Sequence, residues 1–157
     1  MEYEIVTLQE QLVAGFTVRT NNHAPDVGRA IDALWRRYAQ EGGEIPHRMD
    51  PRAICLYTDY AGGTDDDYTA LTGCLVERED RFPGHTLRRI PKGRYAKFVV
   101  RCSRDGMAPT VAGTWRTIWG MHLPRAFRCD FEVYQMAQGA ETVEIHLYIG
   151  LKEAMEG

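Results

Sequence analysis

The residues with the most chemical potential lie in two strand-like runs near the C-terminus, DFEVYQM (130–136) and VEIHLYI (143–149). A strand presents alternate residues on opposite faces. One set of rows therefore holds Glu132, Tyr134 and Met136 with Glu144, His146 and Tyr148, and the other holds Phe131, Val133, Val143, Ile145, Leu147 and Ile149. Carboxylates, tyrosines and a methionine on one surface suit a lipophilic cation. Aromatic faces attract cations through their quadrupole, a thioether adapts to shape, and a partly desolvated carboxylate supplies the opposite charge. The sequence holds no nucleophilic triad, metal-ligand cluster or phosphate loop, so no catalytic residue and no cofactor is assigned.

The elements that position these residues repeat. LQEQLVAGFTVRT (8–20) aligns without a gap on IPKGRYAKFVVRC (90–102), placing Ala14, Phe16, Val18 and Arg19 on Ala96, Phe98, Val100 and Arg101. At slightly smaller offsets Trp35-Arg36 falls on Trp115-Arg116, and Tyr57 of CLYTDY falls on Tyr134 of EVYQM. Self-similarity of this kind marks two copies of one supersecondary unit. In the first repeat, about 1–77, alternation over 3–8 and 12–20 fits an extended or split strand broken near Gln9. A helix follows an N-cap at Asp26, carries Val27, Ile31, Leu34, Trp35 and Tyr38 on one stripe, and ends at Gly42-Gly43. Strands at about 52–60 and 67–76 flank the turn segment AGGTDDD. The second repeat, about 86–152, follows a charged linker at 78–86. It has a strand at 94–102, a helix at 107–120 with Pro109 in its first turn, and strands at 128–136 and 142–151.

The order β-α-β-β, twice, predicts one α+β domain over residues 1–157. Its two units are related by a pseudo-two-fold, with an antiparallel sheet, both helices on one face and a ligand groove at the junction. The apolar rows are expected under the helices, and the acid-aromatic rows on the face the helices leave open.

Composition limits the partners. A net charge of −3 argues against a broad phosphate-binding face, hence against direct nucleic-acid binding. No apolar run approaches the ~20 residues of a membrane helix and no signal-peptide pattern occurs, so a cytoplasmic protein without membrane contact is expected. Cys55, Cys74, Cys102 and Cys129 are scattered, which fits small buried hydrophobes and not a zinc site. The Asp65–Asp67 run lacks the ligand pattern of an EF-hand.

Taken in order, LVAGFTVRTNN, the Leu34-Trp35 helix, DYTAL (67–71), IPKGRYAKF, the W-x3-W helix, DFEVY and VEIHLYI resemble the GyrI-like superfamily. These are effector-binding domains found fused to MerR- and AraC-type regulators and also alone; the nearest group is the stand-alone, integron-associated one. The resemblance covers about residues 5–151. It implies a groove for amphipathic organic cations or drug-like molecules, with Glu132 as the acidic residue and Glu144 as a second candidate. It implies walls from Tyr134, Tyr57 and Tyr68, and from Trp115 and Trp119 on the helix side. DNA regulation would then require a separate DNA-binding chain. The superfamily also suggests two other activities: hydrolysis of strained cyclopropane-containing toxins, or protein interaction of the gyrase-inhibitor kind.

Overall fold

A computed structural model describes residues 1–79, 84–135 and 141–153. Among them, eight strands form one antiparallel sheet: β1 (Glu4–Leu8), β2 (Gln11–Thr20), β3 (Ala53–Thr58), β4 (Tyr68–Val76), β5 (Thr86–Ile90), β6 (Gly93–Ser103), β7 (Arg125–Gln135) and β8 (Thr142–Leu151). Helices α1 (Val27–Glu41) and α2 (Met107–Trp119) complete the α+β fold. Asp26 stands at the N-cap of α1 without a side-chain capping bond. At its other end Gly42 is required by a close approach, since a Cβ there would strike the Tyr38 ring.

The strand order β1-β6-β8-β7-β3-β4-β2-β5 is a palindrome of the two repeats. Strands β3 and β7 meet at its centre, and the register there pairs Cys55 with Glu132. The same row runs outward through Thr72 to Phe16 on one side, and through Leu147 to Phe98 on the other. Phe16 and Phe98 are residues the repeat alignment equates, as are Cys55 and Glu132. The pseudo-two-fold therefore passes between Cys55 and Glu132.

The two short strands depart from the expected layout. β1 precedes β2 in the chain but pairs with β6, and β5 precedes β6 but pairs with β2. The lead strand of each repeat thus completes the sheet of the other. The sequence pattern left β5 unassigned between the linker expected at 78–86 and the strand expected at 94–102, because Arg88 and Arg89 interrupt its apolar alternation and its partner strand lies far back in the chain. Residues 80–83 of that linker lie outside the described residues.

Both sheet faces are covered. On the helix side Phe98, Ile145, Leu147 and Ile149 pack with Trp115 and Ile118, and Phe16 and Ala70 pack with Leu34. On the opposite side Val13, Ile54, Leu56, Leu71, Phe131 and Val133 form a second core that takes in Val6 of β1 and Ile90 of β5. Side chains from the two end strands of the order reach one cluster, so the sheet curls over this face.

The expected assignment of rows to faces is corrected here. Directly paired residues share a face, and the register pairs Glu132 with Leu147 and Tyr134 with Ile145. The Glu132 row therefore lies under the helices together with the apolar row of β8. Phe131 lies on the far side, stacked on Tyr148 with ring centroids 4.6 Å apart. Alternation fixes faces within one strand; only the register between strands says which rows belong together.

Candidate functional site

Between the helices and the centre of the sheet lies a cavity of about 740 Å³, within the range of small-molecule sites. Each helix turns a stripe of side chains toward this space, some of which also reach the sheet. From α1 come Val27, Ile31 and Trp35, and from α2 come Met107, Val111, Trp115 and Trp119. The sheet contributes Tyr57, Tyr68, Glu132 and Tyr134. Two edge-to-face contacts brace the walls across the pseudo-two-fold. Trp35 of the first repeat meets Tyr134 of the second at 4.8 Å, and Trp115 of the second meets Tyr57 of the first at 5.4 Å. The repeat alignment equates Trp35 with Trp115 and Tyr57 with Tyr134, so the two contacts are images of each other. Tyr68 adds a fifth ring, 5.6 Å from Tyr57.

Glu132 sits at the floor, 1% exposed. Its carboxylate accepts hydrogen bonds from Tyr134 at 2.5 Å on Oε1, and from Trp115 Nε1 at 2.6 Å and Tyr57 at 2.9 Å on Oε2. Burying a carboxylate is costly unless donors replace its water. Here the three donors are the rings that also form the walls. Burial nonetheless outweighs these bonds and raises the Glu132 carboxyl above its ordinary range. Burial also pushes the Tyr68 phenol up to about 12. It holds Tyr57 and Tyr134 well above their usual value, with the nearby Glu132 adding to the effect. The phenols therefore remain protonated donors: Tyr57 and Tyr134 are both aimed at the Glu132 carboxyl, and Tyr68 at Asn22.

One end of the cavity is polar. Arg125 and Asp130, both buried, form an ion pair at 2.8 Å. The second Asp130 oxygen accepts the Gly150 backbone N–H at 2.8 Å, and Tyr60 donates to Asp130 at 2.5 Å. Arg125, Tyr60, Thr64 and Asn22 all line this end. Asp32 and Arg116, both exposed, stand at the helix rims.

Of the residues expected at the site, the structure brings together Glu132, Tyr134, Tyr57, Tyr68, Trp115 and Trp119 around one cavity. Trp119 is 41% exposed and marks the mouth. Glu144 and His146 lie elsewhere, on the opposite sheet face. They bond each other at 2.6 Å, and Arg101 donates to Glu144 at 3.0 Å. His146 holds the Glu144 carboxyl below its ordinary range. Met136 lies outside the described residues. The four cysteines are free thiols, and no cluster able to hold a metal occurs among the described residues. Sequence reasoning placed Trp35 in the core and missed Asn22, Tyr60, Thr64 and Arg125. The signal for Trp35 was available: it is the repeat partner of Trp115, and a two-fold groove takes both.

An antiparallel sheet of two units, each the expected β-α-β-β order preceded by a short lead strand, with paired helices closing an acid-aromatic cavity, has the fold that the GyrI-like motifs implied. The sequence profile of the Cass2 family, described as integron-associated effector binding protein, matches residues 4–151. The chain belongs to that family. It is 30% identical over 158 residues to YobU of Bacillus subtilis (strain 168), named as a proposed transcriptional regulator protein, covering 95% of this chain and 97% of that one. Its fold is similar to the integron cassette protein VCH_CASS2 from the mobile metagenome of Vibrio cholerae, with a TM-score of 0.72 and 23% identity over 94% of this chain and 95% of that one. It is also similar to SAV2435, solved bound to tetraphenylphosphonium, with a TM-score of 0.70 and 14% identity over 95% and 94% of the two chains.

Proposed function

We propose that this protein is a receptor for amphipathic organic cations, which it captures in the cavity above Glu132. The observation that carries the reading is a carboxylate 1% exposed at the floor of a space otherwise walled by rings and aliphatic side chains. Apolar contact supplies most of the affinity, at about 25 cal/mol per Å² buried before association costs. Glu132 selects the sign of charge, and Trp35, Trp115, Tyr57 and Tyr134 offer their faces to the cation. The complex of SAV2435 with tetraphenylphosphonium supports the same reading. The effector-binding family and the relationship to YobU support a regulatory output, which by this reading passes to a separate DNA-binding chain.

The test is a matched pair of ligands: an arylalkyl trimethylammonium and its neutral tert-butyl isostere, titrated calorimetrically against wild type and Glu132→Gln. Wild type should prefer the cation by about 2 kcal/mol, roughly thirtyfold. Glu132→Gln should bind both alike, with the neutral compound little affected. Equal affinities for the two compounds in wild type would remove Glu132 from the explanation.

A further inference from the structure

We propose that the cavity holds a second polar subsite, centred on the Arg125 guanidinium, that binds a carbonyl-type oxygen of the ligand. The ligands would then be amphipathic cations bearing a neutral hydrogen-bond acceptor on one arm. This rests on the cation-binding reading of Glu132 and adds a second point of recognition to it.

Arg125 lines the cavity with a side chain 8% exposed. A guanidinium carries five N–H donors. Nη2 donates to Asp130 at 2.8 Å and Nη1 to Thr64 Oγ1 at a long 3.3 Å, while Nε finds no acceptor among the described residues. A buried donor left unpaired is costly, and here it belongs to a residue that borders an open space. The neighbouring donor groups are more heavily engaged. The Tyr68 hydroxyl donates to Asn22 at 3.0 Å, Asn22 Nδ2 to the Thr64 carbonyl at 2.9 Å, and the Tyr60 hydroxyl to Asp130 at 2.5 Å. The guanidinium, with two of its five N–H groups bonded among the described residues, keeps the most donor capacity at that end.

Charge decides which acceptor fits. Asp130 already neutralises Arg125, and Glu132 lines the same cavity, so an anionic ligand group would face two carboxylates for one guanidinium. A ketone, amide or ester oxygen can accept from a second N–H of Nη1 or Nη2, each of which makes only one bond among the described residues, without that repulsion. The other repeat offers no equivalent. Its matching arginine, Arg48, turns away to the Tyr38 hydroxyl at 2.6 Å and the Gly42 carbonyl at 3.4 Å. An acceptor-bearing arm therefore has one direction to point, and the two-fold cage becomes a site with a head and a tail.

The experiment uses alkyltriphenylphosphonium probes of several arm lengths, each ending either in a methyl ketone or in the isostere with C=CH2 in place of C=O. In wild type the best ketone should bind about tenfold tighter than its isostere, the size of a hydrogen bond to a charged donor. In the doubly neutral variant Arg125→Met with Asp130→Asn, the ratio should fall to about one. In that variant the carbonyl oxygen of the introduced asparagine still accepts the Gly150 N–H and its amide NH2 can donate to the Tyr60 hydroxyl oxygen, and its fold is verified by circular dichroism; Thr64→Val, which leaves the ion pair intact, should keep the ketone preference. A wild-type ratio near one at every arm length overturns the subsite while leaving the cation reading in place, as does a preference that survives in the double variant. Failure of both ketone and isostere to bind would bring down the cation reading as well.

Discussion

The two halves of the molecule share a scaffold and differ in what they bury at equivalent places. At the central pairing the first repeat has Cys55 and the second Glu132. Two residues earlier the first has Ala53, half-buried, and the second Asp130, fully buried. Five residues before those come Arg48 and Arg125, each paired near the end of its neighbour strand, with Val76 and Leu151 respectively. Arg48 is spent on the C-terminal end of α1. Arg125 is drawn inward by Asp130. The symmetric parts, two tryptophans and two tyrosines in image contacts, give the cavity its shape. The parts that break the symmetry give it polarity, and every buried carboxylate of the site belongs to the second half.

The largest test of that difference is removal of Asp130. Asp130→Ala leaves Arg125 buried and unpaired, and should lower unfolding stability by about 3–5 kcal/mol. Arg48→Ala, its counterpart in the first half, loses a partly buried bond to Tyr38 and should cost about 1 kcal/mol. Urea unfolding compares them directly; equal losses would mean the inward-turned arginine carries no special weight. Moving the acid across the axis sharpens the comparison. A Cys55→Glu, Glu132→Cys double variant faces the image set of rings, and should keep cation affinity within about tenfold of wild type. Failure to bind any cation would show that the Asp130–Arg125 end, not the rings, fixes where the charge must sit.

A smaller effect concerns pH. Burial raises the Glu132 carboxyl in the folded state above its unfolded value, so in the interval between the two the folded protein holds the extra proton. Stability from this group is complete below the ordinary carboxylate range and is lost as pH rises through the folded value. Wild type should therefore lose stability relative to Glu132→Gln as pH rises from about 4, read as the difference in melting temperature between the two proteins. A difference that grows in favour of wild type would reverse the sign. Cation binding should release a proton over the same interval and strengthen with pH. The smallest effect belongs to Glu144→Gln: its carboxylate is tied to His146 and Arg101 on the opposite face, and calorimetric titration should return an unchanged cation affinity.

Much of the fold was legible because the helices and long strands carry their own periodicity, and because Phe16 with Phe98 and Tyr57 with Tyr134 betray the repeat. Glu132 was legible from its place among aromatic residues in DFEVY. What was not legible depends on pairings between distant strands. Glu144 and His146 look like neighbours of Glu132 until the register pairs Glu132 with Leu147. β5 goes unassigned between linker and strand until β2 supplies its partner. Arg125 reads as an arginine ahead of the strand expected at 128–136; only the irregular register between Arg125 and Asp130 in β7, with Phe127 at a φ of +52°, brings the two side chains together.

The exchange of lead strands bears on how the chain can be made. The outer edge of β2 stays without its neighbour until residues 86–90 have been synthesised, and β1 waits for residues 93–103. Neither half can be finished on the ribosome before the other has begun, and pairings this remote in sequence close slowly. The newborn first half therefore waits with two open edges, and the cavity, lined from both halves, is complete only once both have been made.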